Sequence, residues 1–325
     1  MKTKILCAGT LVVDIFSSNI NGVIAPNTGF STGVEHHPGG NVLNMAVNLS
    51  KLAGKSAEIH CCGVTGDDIF SDMLISYMKK HGIICHVQKM KGKETAKCLI
   101  IGFKDKSRAF VGDKGANDFY TAFEIMQQLK KVKPAIFYAG ETSSLPLVDM
   151  HLGAILKQAK KQGAINVVDY IIAGGRPRKT ILHSGRFIDA MHINDREAEM
   201  LTGKKKVWDA LDVFVKAGIK LPAISSGEKP LVYAWKGRKY REQVFKVKCV
   251  DATGAGDSFT AGLIKGLISL KGAAIEEKLG AEGRAADVIR MAQAAGAAAV
   301  TATGCTAGVT LKKVRQILGA VEANR

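Results

Sequence analysis

The chain has 325 residues, 46% hydrophobic and 23% charged, which excludes a disordered segment and allows one large core. Its formal charge is +17, but the excess is scattered in short groups such as Lys130-Lys131, Lys160-Lys161 and Lys204-Lys205-Lys206. With 6% aromatic residues and no basic stripe to carry them, no nucleic-acid interface is expected. The pattern reads as a lysine-rich solvated surface that draws anionic substrates toward a cleft.

The first sixteen residues place two lysines before an apolar run and so mimic a signal peptide. Asp14 interrupts that run and no small-residue cleavage site follows. The segment reads as a first strand, Ile5–Gly9. Further strands are expected at Ile59–Gly63, Ala135–Ala139, Ile165–Asp169, Phe187–Ile193 and Pro222–Ser225. Between them lie amphipathic stretches at 41–53, 67–81, 119–131, 147–162, 195–202 and 206–217. This rhythm implies right-handed crossovers and an α/β fold, with a mostly parallel central sheet flanked by helices. Such a sheet gathers ligands beyond the carboxyl ends of its strands.

Two stretches, 15–37 and 96–111, break the rhythm. "AKCLIIGFKDKSRAFV" reads as a hairpin around Lys104–Ser107, and together the two segments are expected to form a small β-structured lid. No linker or repeat divides the chain, so 1–325 reads as a single domain. Residues 291–311 carry no charge but are rich in Ala, Gly and Thr, which suits a packed helix and loop and not a bilayer span. Seven cysteines without a C-x-x-C spacing suggest reduced thiols in a cytoplasmic protein. Adjacent Cys61 and Cys62 in a strand would face opposite ways, so no zinc site is expected.

Which phosphate loop does the chain carry? Gly54-Lys55-Ser56 ends like a P-loop, but position 49 is leucine and the triplet closes a helix instead of opening one. The dinucleotide pattern fails because Phe259 stands where its third glycine belongs. What remains is "DATGAGDSFTAG" at 251–262. Gly254, Ala255 and Gly256 precede a helix whose apolar face is Phe259, Leu263, Leu267 and Leu270. Small residues at a helix N-terminus present unpaired amides and the positive dipole end, a seat for phosphate. Asp257 then has two readings. It is a helix cap, or it accepts the proton of a hydroxyl that attacks the phosphoryl group beside it. Capping alone does not account for the three exposed backbone positions.

"DATGAGDSFTAG" resembles the C-terminal signature of the ribokinase (PfkB-type) carbohydrate kinases. "GGNVLNMAVNLSKLAG" (39–54) resembles their N-terminal Gly-Gly signature, and the strand–helix alternation carries the likeness along nearly the whole chain. The resemblance implies a ribokinase-like fold and ATP-dependent transfer of the γ-phosphoryl group to a hydroxyl of a carbohydrate. ATP and Mg²⁺ come with it, as do a monovalent cation near Asp251 and a homodimer paired through the lid. By the same resemblance Asp257 is the catalytic base, and Gly254, Ala255 and Gly256 are its anion hole. Asp14, ending the segment "GTLVVD", holds sugar hydroxyls; Gly40, Asn41 and Asn44 face the acceptor, and Glu141 is a substrate-side carboxylate. Asn194 and Glu197 in "INDREAE" match an N-x-x-E element associated with phosphate and magnesium. Ser225 and Gly227 lie near the nucleotide, and Gly304 lies in the adenine-side loop. For Asn194 and Glu197 an acidic helix start is the competing reading.

Asn41 stands where ribokinases carry lysine, a departure from a specific ribose site. In the loop after Asp169, Arg176 and Arg178 either meet a phosphate or face solvent. A nucleoside kinase is the alternative, with Phe16, Phe30, Phe103 and Phe110 as its base slot. A non-catalytic sugar- or nucleotide-binding protein is a further alternative, against which Asp257 argues.

Overall fold

Two sheets organise the chain. The computed structural model describes residues 2–322 apart from 22–23, 25, 28, 30–32, 105–107, 173–178 and 281–282. In chain order the elements are β1 (Thr3–Ala8), β2 (Val12–Ile20), β3 (Val34–Gly39), α1 (Asn41–Ala53), β4 (Ala57–Gly66), α2 (Ile69–Lys80), β5 (Ile84–Met90), β6 (Ala96–Phe103) and β7 (Arg108–Asp113). They continue with α3 (Ala122–Val132), β8 (Ile136–Thr142), α4 (Pro146–Asp149), α5 (Leu152–Lys161), β9 (Ile165–Tyr170), α6 (Thr180–His183), β10 (Ala190–Asn194), α7 (Asp195–Thr202) and α8 (Val207–Lys216). The last are β11 (Leu221–Ser226), β12 (Lys229–Trp235), β13 (Arg238–Glu242), α9 (Ala255–Ile268), α10 (Ile275–Lys278), α11 (Arg284–Ala299) and α12 (Leu311–Glu322).

The large sheet has nine strands in the order β13-β12-β11-β10-β9-β8-β1-β4-β5. It is parallel from β11 to β5, whereas the β11–β12 and β12–β13 pairs are antiparallel. Alternating side chains divide the core into two layers. Leu49, Leu74, Leu263 and Ala295 cover one face, from α1, α2, α9 and α11; Leu129, Leu156, Leu201 and Phe214 cover the other, from α3, α5, α7 and α8. Cys61 and Cys62 fall on opposite layers, as strand geometry requires. Strand order reverses between β1 and β8, which opens a crevice at their carboxyl ends.

The small sheet has the order β3-β2-β6-β7, with β2 and β6 parallel and both outer pairs antiparallel. The β6–β7 hairpin is the expected one; its turn residues 105–107, like Phe30 and the arginines 176 and 178, lie outside the described residues. Several expected boundaries shift. Asp14 does not end the first strand but sits third in β2, in the small sheet. Phe187 closes a 3-10 turn, Gly185–Phe187, so β10 starts only at Ala190. The stretch 147–162 breaks into α4 and α5, where buried Asp149 turns back to accept from the Ser143 amide. Strands β5, β12 and β13 were not anticipated. β5 and β13 are the sheet edges, with polar sequences "ICHVQKM" and "RKYRE" that lack an apolar run.

Candidate active site

Asp257 is the focus of the crevice. α9 starts at Ala255 with Gly254 as its N-cap, so Ala255 and Gly256 belong to the first helical turn and do not precede it. Gly254 adopts the left-handed φ of 76° that a side chain resists. Asp257 is third in the helix and caps nothing. Its two carboxylate oxygens turn across the crevice to α1, where Oδ1 accepts from Asn41 Nδ2 at 2.6 Å and Oδ2 from Asn44 Nδ2 at 3.0 Å. Among the described residues the main-chain N–H groups of Gly256 and Asp257 have no partner, and they carry the positive end of the helix dipole.

Packing enforces this meeting of α9 and α1. Asn48, one turn past Asn44, donates to Ser258 Oγ at 2.9 Å and to the Cys305 carbonyl at 3.0 Å. Asn41 is fixed from its other side by the Tyr138 hydroxyl, which donates to Oδ1 at 2.7 Å. The chain must come very close there. A Cβ on Gly140 would lie 1.8 Å from Asn41 Oδ1, so only glycine is tolerated.

Behind Asp257 lies a second buried carboxylate that the sequence did not single out. Asp169, at the end of β9, accepts from Thr260 Oγ1 at 3.2 Å and faces Tyr138 and Asn41 at 3.4 and 3.5 Å. Its other oxygen is 3.0 Å from His192 Nδ1, and His192 Nε2 is 3.0 Å from Ser225 Oγ. A chain of polar groups, buried beyond the half-buried Ser225, therefore runs from Ser225 through His192, Asp169 and Asn41 to Asp257. Burial, then the Asp169 charge, pushes the Asp257 carboxyl up to about 8, against the pull of Asn44 and Asn41.

Asp14 and Glu141 flank the crevice from the two sheets. Asp14 pairs across its strand with His37 and on the other side with Cys98. Burial raises its carboxyl to about 6, while His37 pulls it down and Glu141 pushes it up. Glu141, next to last in β8, lies in the left-handed region at φ 51°, a strained conformation for a glutamate, and Thr10 donates to its carboxylate. Burial raises this carboxyl as well. Carboxylates accept several hydroxyl hydrogen bonds, so the pair suits a polyol.

The remaining sequence candidates sit at helix ends and turns. Asn194 caps α7, accepting from the Glu197 amide at 2.8 Å while Glu197 Oε2 accepts from the Asn194 amide, so the helix-start reading of this pair is the observed one. Glu197 also accepts from Ile172 N, and burial raises it to about 7. Gly40 caps α1, and Gly227 turns β11 into β12. Gly304 donates to Asp251 Oδ2 at 3.1 Å, and Asp251 Oδ1 holds Thr253, which ties the 301–306 loop to the bend before α9. Among the described residues no group of three or more His, Cys, Asp and Glu is arranged to hold a metal ion. An ion carried mainly by a ligand's phosphates needs no such cage.

A family model described as pfkB family carbohydrate kinase matches residues 2–312. A probable fructokinase-4 of Arabidopsis thaliana is 29% identical over 316 residues, covering 93% of this chain and 92% of that protein. The solved ribokinase of Giardia lamblia superposes with a TM-score of 0.85 at 18% identity, covering 99% of this chain and 100% of that one. A fructokinase of Xylella fastidiosa solved with bound ATP gives a TM-score of 0.82 at 18% identity, over 99% and 100% of the two chains.

Proposed function

The chain belongs to the pfkB family of carbohydrate kinases, and on that premise we propose that it transfers the γ-phosphoryl group of ATP to a hydroxyl of a sugar. One observation carries the site assignment: the Asp257 carboxylate and the unpartnered amides of Gly256 and Asp257 converge at one helix N-terminus beside the crevice. Asp14 and Glu141 hold the acceptor's hydroxyls. Asp257, aimed by Asn41 and Asn44, takes the proton from the attacking oxygen while the α9 amides receive charge building on the transferring group. Asn194, Ser225, Gly227 and Gly304 line the donor side. Bound with the nucleotide, Mg²⁺ would supply positive charge against the phosphates, and Glu197 and Asn194 are the residues that would lie toward it.

The small sheet acts as a lid that keeps water from the phosphoryl group. On its outer strands Val34, Phe110 and Val111 are 57%, 61% and 62% exposed, which supports pairing of two lids in a homodimer. Molar mass in solution should read twice that of the chain. Among the described residues no cysteine forms a disulfide, which supports a reducing, cytoplasmic setting, and no described helix is long and apolar enough to cross a membrane.

The test is a nucleotide-consumption screen across pentoses, hexoses, sugar phosphates and nucleosides. The name of the Arabidopsis relative makes a ketohexose the acceptor expected to lead. Turnover confined to nucleosides would transfer the assignment to nucleoside kinases, and silence across every sugar would end it. The acidity of the base gives a second check. Since Asp257 must be deprotonated to act, kcat/KM should rise with pH and level off above about 8. Asp169→Asn removes the neighbouring negative charge and should move that limb down by about one pH unit. A limb that stays in place would separate Asp169 from the base.

A further inference from the structure

The large sheet carries a second concavity on the face opposite Asp257. Ser225 and Ser226 are successive residues of β11. Ser225 reaches His192 on the crevice side, while Ser226 lines a cavity of about 630 Å³ on the other. Helix α7, with its cap, divides in the same way. Asn194 and Glu197 form the cap described above, whereas Arg196 and Glu199 line the cavity. The lysines at 205 and 206, a short basic group with no place in the kinase site, lie on its border.

Five cationic side chains surround this cavity, Arg196, Lys205, Lys206, Lys229 and Arg241, against two carboxylates, Asp195 and Glu199. Among the described residues none of the five is held in an ion pair. Lys239 nearby behaves differently: it is paired with Asp212 at 2.9 Å and lies 6.0 Å above the Trp208 ring. The half-buried Trp208 supplies an apolar wall, joined by Pro230 and Val232. Uncompensated positive charge around a concave, partly apolar wall of this size matches a small molecule and not a polymer. One indole gives no stacking track for nucleic acid, and the volume is too small for a folded partner.

We propose that this cavity binds a small, multiply charged phosphorylated molecule, with its phosphates among the five cations and its body against Trp208. The bound molecule would share the β11–β12 turn and the α7 N-terminal turn with the donor side of the crevice, one residue away from Ser225.

Trp208 makes the site directly readable without reference to turnover, so a negative result here is distinguishable from a failure of the kinase reading. Inorganic tripolyphosphate, titrated at moderate salt, should change tryptophan emission saturably. The change should disappear in Trp208→Phe, which retains Trp235. The exposed triple variant Lys205→Glu/Lys206→Glu/Lys229→Glu should bind at least about tenfold more weakly. The double variant Lys130→Glu/Lys131→Glu, on α3, should bind as the parent does. Emission that ignores tripolyphosphate, or equal affinity in the triple variant and the parent, overturns the proposal.

Discussion

Replacing Asp257 by asparagine should lower kcat by about 10²- to 10⁴-fold, with nucleotide affinity largely retained. The side chain keeps its volume and can still accept from Asn41 or Asn44, so the crevice keeps its shape; what is lost is the group that takes the proton. The same variant should be more heat-stable than the parent. A carboxyl whose folded-state value is raised to about 8 stabilises the fold fully only below its ordinary range, and that contribution is lost as pH rises through about 8. Asparagine carries no such penalty. The gain should therefore be absent near pH 4 and grow toward pH 8 and above, reaching on the order of 1–3 kcal/mol. Steady-state kinetics and melting curves across pH read both effects. A variant that turns over like the parent would remove Asp257 from the base role, and one that is inactive because it melts early would contradict the burial argument.

Gly254→Ala should damage both the fold and the reaction. The residue caps α9 at a left-handed φ of 76°, and an added Cβ would lie 2.7 Å from both Cα and Cβ of Cys305 and 2.9 Å from its carbonyl oxygen. The Cα and the carbonyl oxygen are main-chain atoms of a loop that Asn48, Asp251 and Lys51 tie in place, so they have little room to retreat. The N-terminal turn of α9 must give way, and its amides lose their aim at the crevice. A loss of about 10²- to 10³-fold in kcat is expected, with a raised KM for ATP. The melting temperature should fall by an amount equivalent to about 1–3 kcal/mol. Parental kinetics in this variant would show that the α9 amides do not serve the reaction.

Much of this arrangement is local and therefore legible in one dimension. The run Gly254-Ala255-Gly256-Asp257 before an apolar helix face announces an anion seat and a carboxylate, because helix ends and their free amides are decided within one turn. The alternation of apolar runs with amphipathic stretches announces a parallel sheet with two covered faces, because each side-chain period matches one kind of element. Edge strands β5 and β13 escaped this reading because polar edges carry no apolar run. Asp169 and His192 escaped for a different reason. Their chemistry depends on partners 91 and 33 residues away in sequence, Thr260 and Ser225, and no local pattern distinguishes a strand-end aspartate in a charge network from one in a turn. Only the close packing of α1 against α9, with Tyr138 beneath them, decides which carboxylate sits in low dielectric beside another and so holds its proton more tightly. The sequence alone determined the kinds of element and the small-residue helix end proposed to seat an anion; the tertiary structure decided the acidity of the group beside that helix end, because desolvation and Coulomb terms depend on distance in space and not on separation along the chain.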